Sequence, residues 1–173
     1  GQYSISVLAL GAPVTLLGQS VYEVFFPRIT RAVQGSQESA AAIIGKTTIG
    51  LILVSVIPFG AIALFGDRVF PFVFGAEWTR AGEFSQWVAL WMAASLATRP
   101  AVAAIPVLGR QGMLLAYEIV MTVGRVAALY AGQRVGDDLT SIAFFAIVNI
   151  VGYATLLLLV FASLPKRNGI QNA

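Results

Sequence analysis

The sequence of 173 residues contains no cysteine and no histidine, and only 11% of it is charged, where about a quarter is usual in soluble domains. Each absence excludes a chemistry. Without Cys or His there is no thiolate nucleophile, no imidazole base and no Cys or His zinc site, and no disulfide reports on the compartment. Three stretches carry no charge at all, Gly1 to Tyr22, Thr47 to Gly66 and Leu139 to Pro165, each near or above the ~20 residues that cross a bilayer core. With 58% apolar residues and a mean hydropathy of +0.82, a water-facing globule is excluded. The composition points to an all-α, polytopic membrane bundle. The net charge of +3 comes from 11 basic and 8 acidic residues scattered along the chain, which fits membrane-flanking Lys and Arg and not a nucleic-acid surface. Membrane lipids are the expected surroundings, and no metal, cofactor or nucleic acid is expected.

Hydropathy windows give five spans, at about 1–26, 47–65, 84–108, 111–131 and 140–164. The fourth holds both Glu118 and Arg125, each costing roughly 2.5 to 3.5 kcal/mol at a helix centre, so its neighbours must help to hold it. Between the first two spans, Pro27 to Lys46 is polar, and Ala40 to Ile44 reads as a surface helix leading into the second. The segment Asp67 to Glu83 places Phe70, Phe72 and Phe74 beside Pro71 and Gly75 and then brings Trp78. It reads as lying in the headgroup region.

Orientation follows from Lys and Arg in the short loops. One side holds Arg28, Arg31, Lys46, Arg110, Lys166 and Arg167; the other holds Arg68, Arg80 and Arg134 beside Asp67, Glu77, Glu83, Asp137 and Asp138. The richer side should be cytoplasmic, which puts Gly1 outside. No basic segment precedes the first apolar stretch, as a secretory signal would need. The chain therefore reads as the later part of a longer protein.

Intramembrane charge is the most informative feature, because an ionised group is tolerated there only when paired or facing a wet cavity. At 1.5 Å per residue, Arg99 lies about 15 Å and Glu118 about 11 Å from the inner ends of consecutive spans, a similar depth. Either they pair to hold the hairpin together, or they line a hydrophilic cavity. Arg125 lies two turns deeper than Glu118 on nearly the same face, and Asn149 on the fifth span is level with it and can hydrogen-bond but not neutralise it. With no second carboxylate at its depth, Arg125 reads as a site for an external anion or as the partner of a group in helices outside this sequence.

Prolines interrupt three spans: Pro13, Pro58, Pro100 and Pro106. They are ordinary kinks or hinges for alternating access, and Pro100 and Pro58 are the hinge candidates, Pro100 foremost because it follows Arg99. Ala93, Ala97 and Ala101, and Gly11 with Thr15, have the spacing of close-packing seams. Glu23 near Pro27 and Arg28 reads as a snorkelling side chain in local contact with Arg28. No phosphate-loop, nucleophile-elbow or zinc-protease motif occurs, and Asp137-Asp138 reads as a solvated turn, so the chain is not expected to be an enzyme.

Several stretches together resemble a known family: Gly1-Gln2-Tyr3-Ser4 leading to Val24-Phe25-Phe26-Pro27-Arg28, then Leu64-Phe65-Gly66, Phe74-Gly75-Ala76-Glu77-Trp78 with Ala81-Gly82, Arg99-Pro100 and Leu108-Gly109-Arg110-Gln111. They resemble the bacterial polysaccharide flippases of the multidrug/oligosaccharidyl-lipid/polysaccharide exporter superfamily. The resemblance implies a transporter of two helical bundles, of which these five spans belong to the second and an N-terminal bundle is missing. It implies movement of undecaprenyl-pyrophosphate-linked oligosaccharide across the bacterial cytoplasmic (inner) membrane by alternating access, with Arg99 and Arg125 in the role of the basic residues that line the cavity. A multidrug cation exporter of the same superfamily would want cavity carboxylates, and depth offers Glu118. A glycan polymerase or ligase would need large outer loops, which are absent, and a structural membrane subunit is the remaining alternative.

Overall fold

A computed structural model describes residues 2–34 and 39–164. Gly1, the loop residues Ser36, Gln37 and Glu38, and the terminal Lys166 and Arg167 of the charge count lie outside the described residues. The described chain is helical without strands: α1 (Gln2–Val33), α2 (Ala40–Phe74), a 3-10 turn (Ala76–Trp78), α3 (Thr79–Ala97), α4 (Arg99–Val107), α5 (Gln111–Val135) and α6 (Asp138–Ser163). With α3 and α4 counted as one interrupted span, five helices are long and apolar enough to cross a membrane. This is the all-α bundle that the composition demands.

The helices outrun the hydropathy windows, because a window measures burial in lipid whereas a helix continues wherever its backbone stays paired. Ala40 to Ile44 is the first turn of α2 and not a separate surface helix. The aromatic segment after Asp67 begins as a continuation of α2. It is helical as far as Phe74, with Phe70 only 3% exposed and Phe74 packed on it at 5.5 Å. Pro71 fits because its fixed φ is helical and it removes only one donor. The chain turns at Gly75, whose φ of 103° suits glycine and whose N–H donates to the Pro71 carbonyl at 2.9 Å. Several hydroxyls inside the spans are satisfied on their own helices: Thr15 donates to the Gly11 carbonyl, Ser20 to Leu16 and Thr30 to Phe26.

Packing centres on the α3–α4 span. Its most apolar stretch is 67% buried, against 17% for α1, α2 and α5 and 28% for α6. Small residues let the neighbours approach. A Cβ added to Gly66 of α2 would stand 2.7 Å from the Gly82 carbonyl oxygen of α3, and one added to Gly132 of α5 would stand 2.7 Å from the Ser141 nitrogen of α6. Val14, Phe59, Val88, Ala89, Met92 and Leu96 join α1, α2 and α3. A second cluster, including Ile29, Ile44, Ile105, Leu156 and Val160, gathers all the spans at the other end.

The two ends differ in charge. Gln2 donates to the Glu77 carbonyl at 2.8 Å, Ser6 to Ala81 at 2.7 Å, and Arg80 pairs with Asp137. The start of α1, the α2–α3 turn and the α5–α6 turn are thus together at one end. Arg28, Lys46 and Arg110 belong to the other, where α1 ends, α2 begins and α4 turns into α5 through Gly109 (φ 64°). Between the ends the lateral surface is apolar: Ile52, Leu53, Val54, Val56 and Ile57 of α2, for example, are all exposed.

Candidate anion site in the bundle

Arg99 stands at a break in the central span. The Thr98 N–H is shared between the Ala94 and Ser95 carbonyls at 3.2 and 3.3 Å, and the Thr98 hydroxyl donates to Ser95 at 2.8 Å. The fully buried Pro100 that follows brings no N–H to the ladder. The helix is re-started there, and the side chain of Arg99 leaves it toward α1. Its guanidinium lies over Gly18, where an added Cβ would be 2.9 Å from Nε and 3.2 Å from Cζ. The glycine gives the guanidinium its place.

Around it is a cleft of about 320 Å³ lined by Gly18, Gln19, Tyr22, Glu23, Arg99 and Val102. Arg99 Nε is buried with no hydrogen-bond partner, and among the described residues the side chain makes no ion pair. At 1.5 Å per residue, Arg99 is about 12 Å from the Val107 end of α4 and Glu23 about 15 Å from the Val33 end of α1. Both belong to the third of the bundle nearest its basic end. A guanidinium with unused donors in such a cleft has the chemistry to accept an anion.

Arg125 is differently placed. Its Nε donates to Asn149 Oδ1 at 3.0 Å, and Asn149, 2% exposed, in turn donates to the Phe145 carbonyl at 2.8 Å. The expected bond between Arg125 and Asn149 is therefore present. The expected lack of a carboxylate is not: Arg125 Nη1 meets Glu118 Oε2 at 3.2 Å. Two turns of helix separate the Cα atoms by about 10.5 Å, which two long side chains leaning toward each other can bridge. Glu118 accordingly forms its ion pair with Arg125 on its own helix and not with Arg99.

The two arginines are not aimed at one point. α5 packs chiefly on α6, where Arg125 is held, while Arg99 is directed at α1. Of the hinge candidates, Pro100 stands at a break, whereas Pro58 lies exposed inside the unbroken α2. The cleft residues Gly18, Gln19, Tyr22 and Glu23 were not singled out as a site by sequence reasoning. Glu23 lines the Arg99 cleft; the four-residue interval from Gly18 to Tyr22, one helical face, was the available signal.

At the acidic end, Asp137 caps α6 by accepting the Thr140 N–H at 3.1 Å, and Arg80 bonds to both Asp137 and Glu83. Asp137 is thus a structural cap and not only a solvated turn residue. The Arg80 guanidinium, with the Thr140 donors, holds its carboxyl down at about 2.

Fold and site together define a multi-pass α-helical membrane protein with a polar cleft in its wall. No family model matches the chain, and no curated protein or solved structure matches it either.

Proposed function

We propose that this chain is one bundle of an alternating-access carrier that moves an undecaprenyl-pyrophosphate-linked oligosaccharide across the bacterial cytoplasmic membrane, with its basic end on the cytoplasmic side. The observation that carries the reading is Arg99: a guanidinium with a buried, unused Nε, in a polar cleft between spans that otherwise show lipid an apolar surface. A diphosphate supplies what that group lacks, since its oxygens accept from the planar fork. The break at Thr98 supports motion, because α3 and α4 can change their relative angle without breaking a continuous ladder. The cytoplasmic assignment rests on Arg28, Arg31, Lys46 and Arg110 at one end.

Glu118 is tied to Arg125 and Glu23 shares its cleft with Arg99. Neither carboxylate stands apart from a guanidinium as a cation exporter's site would require, so an anionic cargo is favoured. Arg125 and Asn149 have the secondary role, open to ligand only in competition with Glu118.

The test is translocation of lipid-linked oligosaccharide across vesicles reconstituted with the protein. Arg99→Gln should abolish translocation at unchanged protein incorporation, and Arg99→Lys should restore part of it. Full translocation by Arg99→Gln would refute the reading.

A further inference from the structure

Glu23 and Arg99 line the same cleft, yet among the described residues neither makes a hydrogen bond or an ion pair. The two groups have opposite charge, come from different helices and enter one space of about 320 Å³. An anion that docks on the guanidinium must share that space with the carboxylate. From this juxtaposition we infer that Glu23 couples anion binding at Arg99 to the uptake of one proton. The inference rests on the anion-site reading above and adds to it a second, titratable partner.

The physical argument is a competition. While Glu23, itself exposed, is ionised it offsets the charge of Arg99 and repels an incoming phosphate oxygen in the space that both groups line. Once protonated, it stops repelling and gains an O–H that can donate to the same anion. Protonation therefore tightens anion binding, and by linkage bound anion raises the affinity of Glu23 for its proton by the same factor. The cleft offers no other acid or base to do this: its remaining titratable lining groups are Tyr22 on α1 and Arg99 itself on α4, while α2 and α3, which also pack on α1, contribute none to its walls. The cluster of Glu118 and Arg125 belongs to another helix pair and has its own internal compensation.

The probe is P1,P2-dimethyl pyrophosphate, a diester whose two negative charges do not titrate in the mildly acidic range, so that any pH dependence belongs to the protein. Binding to the full chain in lipid nanodiscs is measured by calorimetry between about pH 3.5 and 7.5, a window that brackets the ordinary carboxylate range. Wild-type affinity should rise about tenfold toward the acid end, with net proton uptake seen as a buffer-dependent heat. Glu23→Gln should bind at pH 7.5 as tightly as wild type does in acid and should lose both the pH dependence and the proton uptake. Arg99→Gln should abolish binding in either background. Binding that depends on Arg99 but keeps its full pH dependence in Glu23→Gln overturns the role of Glu23 alone. Binding that is absent from wild type, or indifferent to Arg99→Gln, overturns the anion site itself.

Discussion

The region around Arg99 and the hairpin around Arg125 solve the same problem, a guanidinium at membrane depth, in opposite ways. In the α5–α6 hairpin the sequence supplies the compensation locally: Glu118 lies two turns back on the same helix, and Asn149 is offered by the next. The pair is complete without a ligand. Between α1 and α4 the guanidinium is placed by an absence, the missing side chain of Gly18, and by a broken helix, and one of its buried donors is left unmet. Depth alone thus does not mark a ligand site in a membrane protein. What sets Arg99 apart is that a charged group with an unmet donor lines a polar cleft, where an unmet donor is costly because no bulk water is present in a bilayer to meet it.

The largest expected effect tests that contrast directly. Arg99→Ala should weaken binding of a pyrophosphate diester by about 100-fold, the scale of a charge-assisted bidentate contact, whereas Arg125→Ala should change it less than about threefold. Calorimetry on the two variants decides the matter. An inverted ranking would transfer the site to the hairpin.

A second variant separates position from charge. Gly18→Val keeps every charged group but puts side-chain atoms where Nε and Cζ of Arg99 now lie, at 2.9 and 3.2 Å from the Cβ position. Because the obstructed atoms are the far end of a flexible side chain, the fold should survive and the guanidinium should move. Affinity should fall about tenfold with little change in thermal stability. Gly60→Ala, where an added Cβ meets nothing within 4 Å, is the neutral control.

The hairpin is tested by a double-mutant cycle. Glu118→Gln and Arg125→Gln should each destabilise the protein in detergent, and the double variant should recover about 0.6 kcal/mol of the summed loss, the scale of polar pairs inside bilayers. Strict additivity would mean that the 3.2 Å contact contributes nothing measurable. A cycle between Glu118 and Arg99, by contrast, should be additive.

These contrasts also explain what could be read from the chain. Five spans and their order were legible because charge-free runs of bilayer length are unambiguous, and the break at Arg99-Pro100 was legible because proline removes a donor. The bond from Arg125 to Asn149 was legible from depth. Depth counting gives a position along an axis and says nothing of azimuth, which is why Arg99 and Glu118 looked like partners although they are directed at different helices. The meeting of Arg99, Gly18 and Glu23 in one cleft arises from the packing of α1 on α4, a contact remote in sequence that no local pattern announces. Helix ends were misjudged for a different reason: the aromatic stretch through Phe74 leaves the hydrophobic window while its backbone remains helical.

The smallest expected effect lies where the two regions are tied together. Arg80 at the start of α3 bonds to Asp137, the cap of α6, so the hairpin is linked to the central span at its acidic end. Both side chains are largely exposed, 42% and 58%, and salt screens such pairs, so the link contributes little and less at high ionic strength. Its pH dependence nevertheless has a definite sign. The Arg80 guanidinium, with the Thr140 donors, lowers the Asp137 carboxyl from 3.8 to about 2. A folded-state value below the unfolded one means that the stabilisation is complete above about pH 4 and is lost as the pH falls through about 2. Thermal unfolding of the protein in detergent should therefore show a small drop in midpoint across that interval, reduced by salt and absent from Asp137→Asn, whose midpoint should lie slightly below wild type at neutral pH. An Asp137→Asn variant that keeps the same acid drop would mean that other carboxylates carry it, and that the two regions are held together by the packing of α3 on α6 alone.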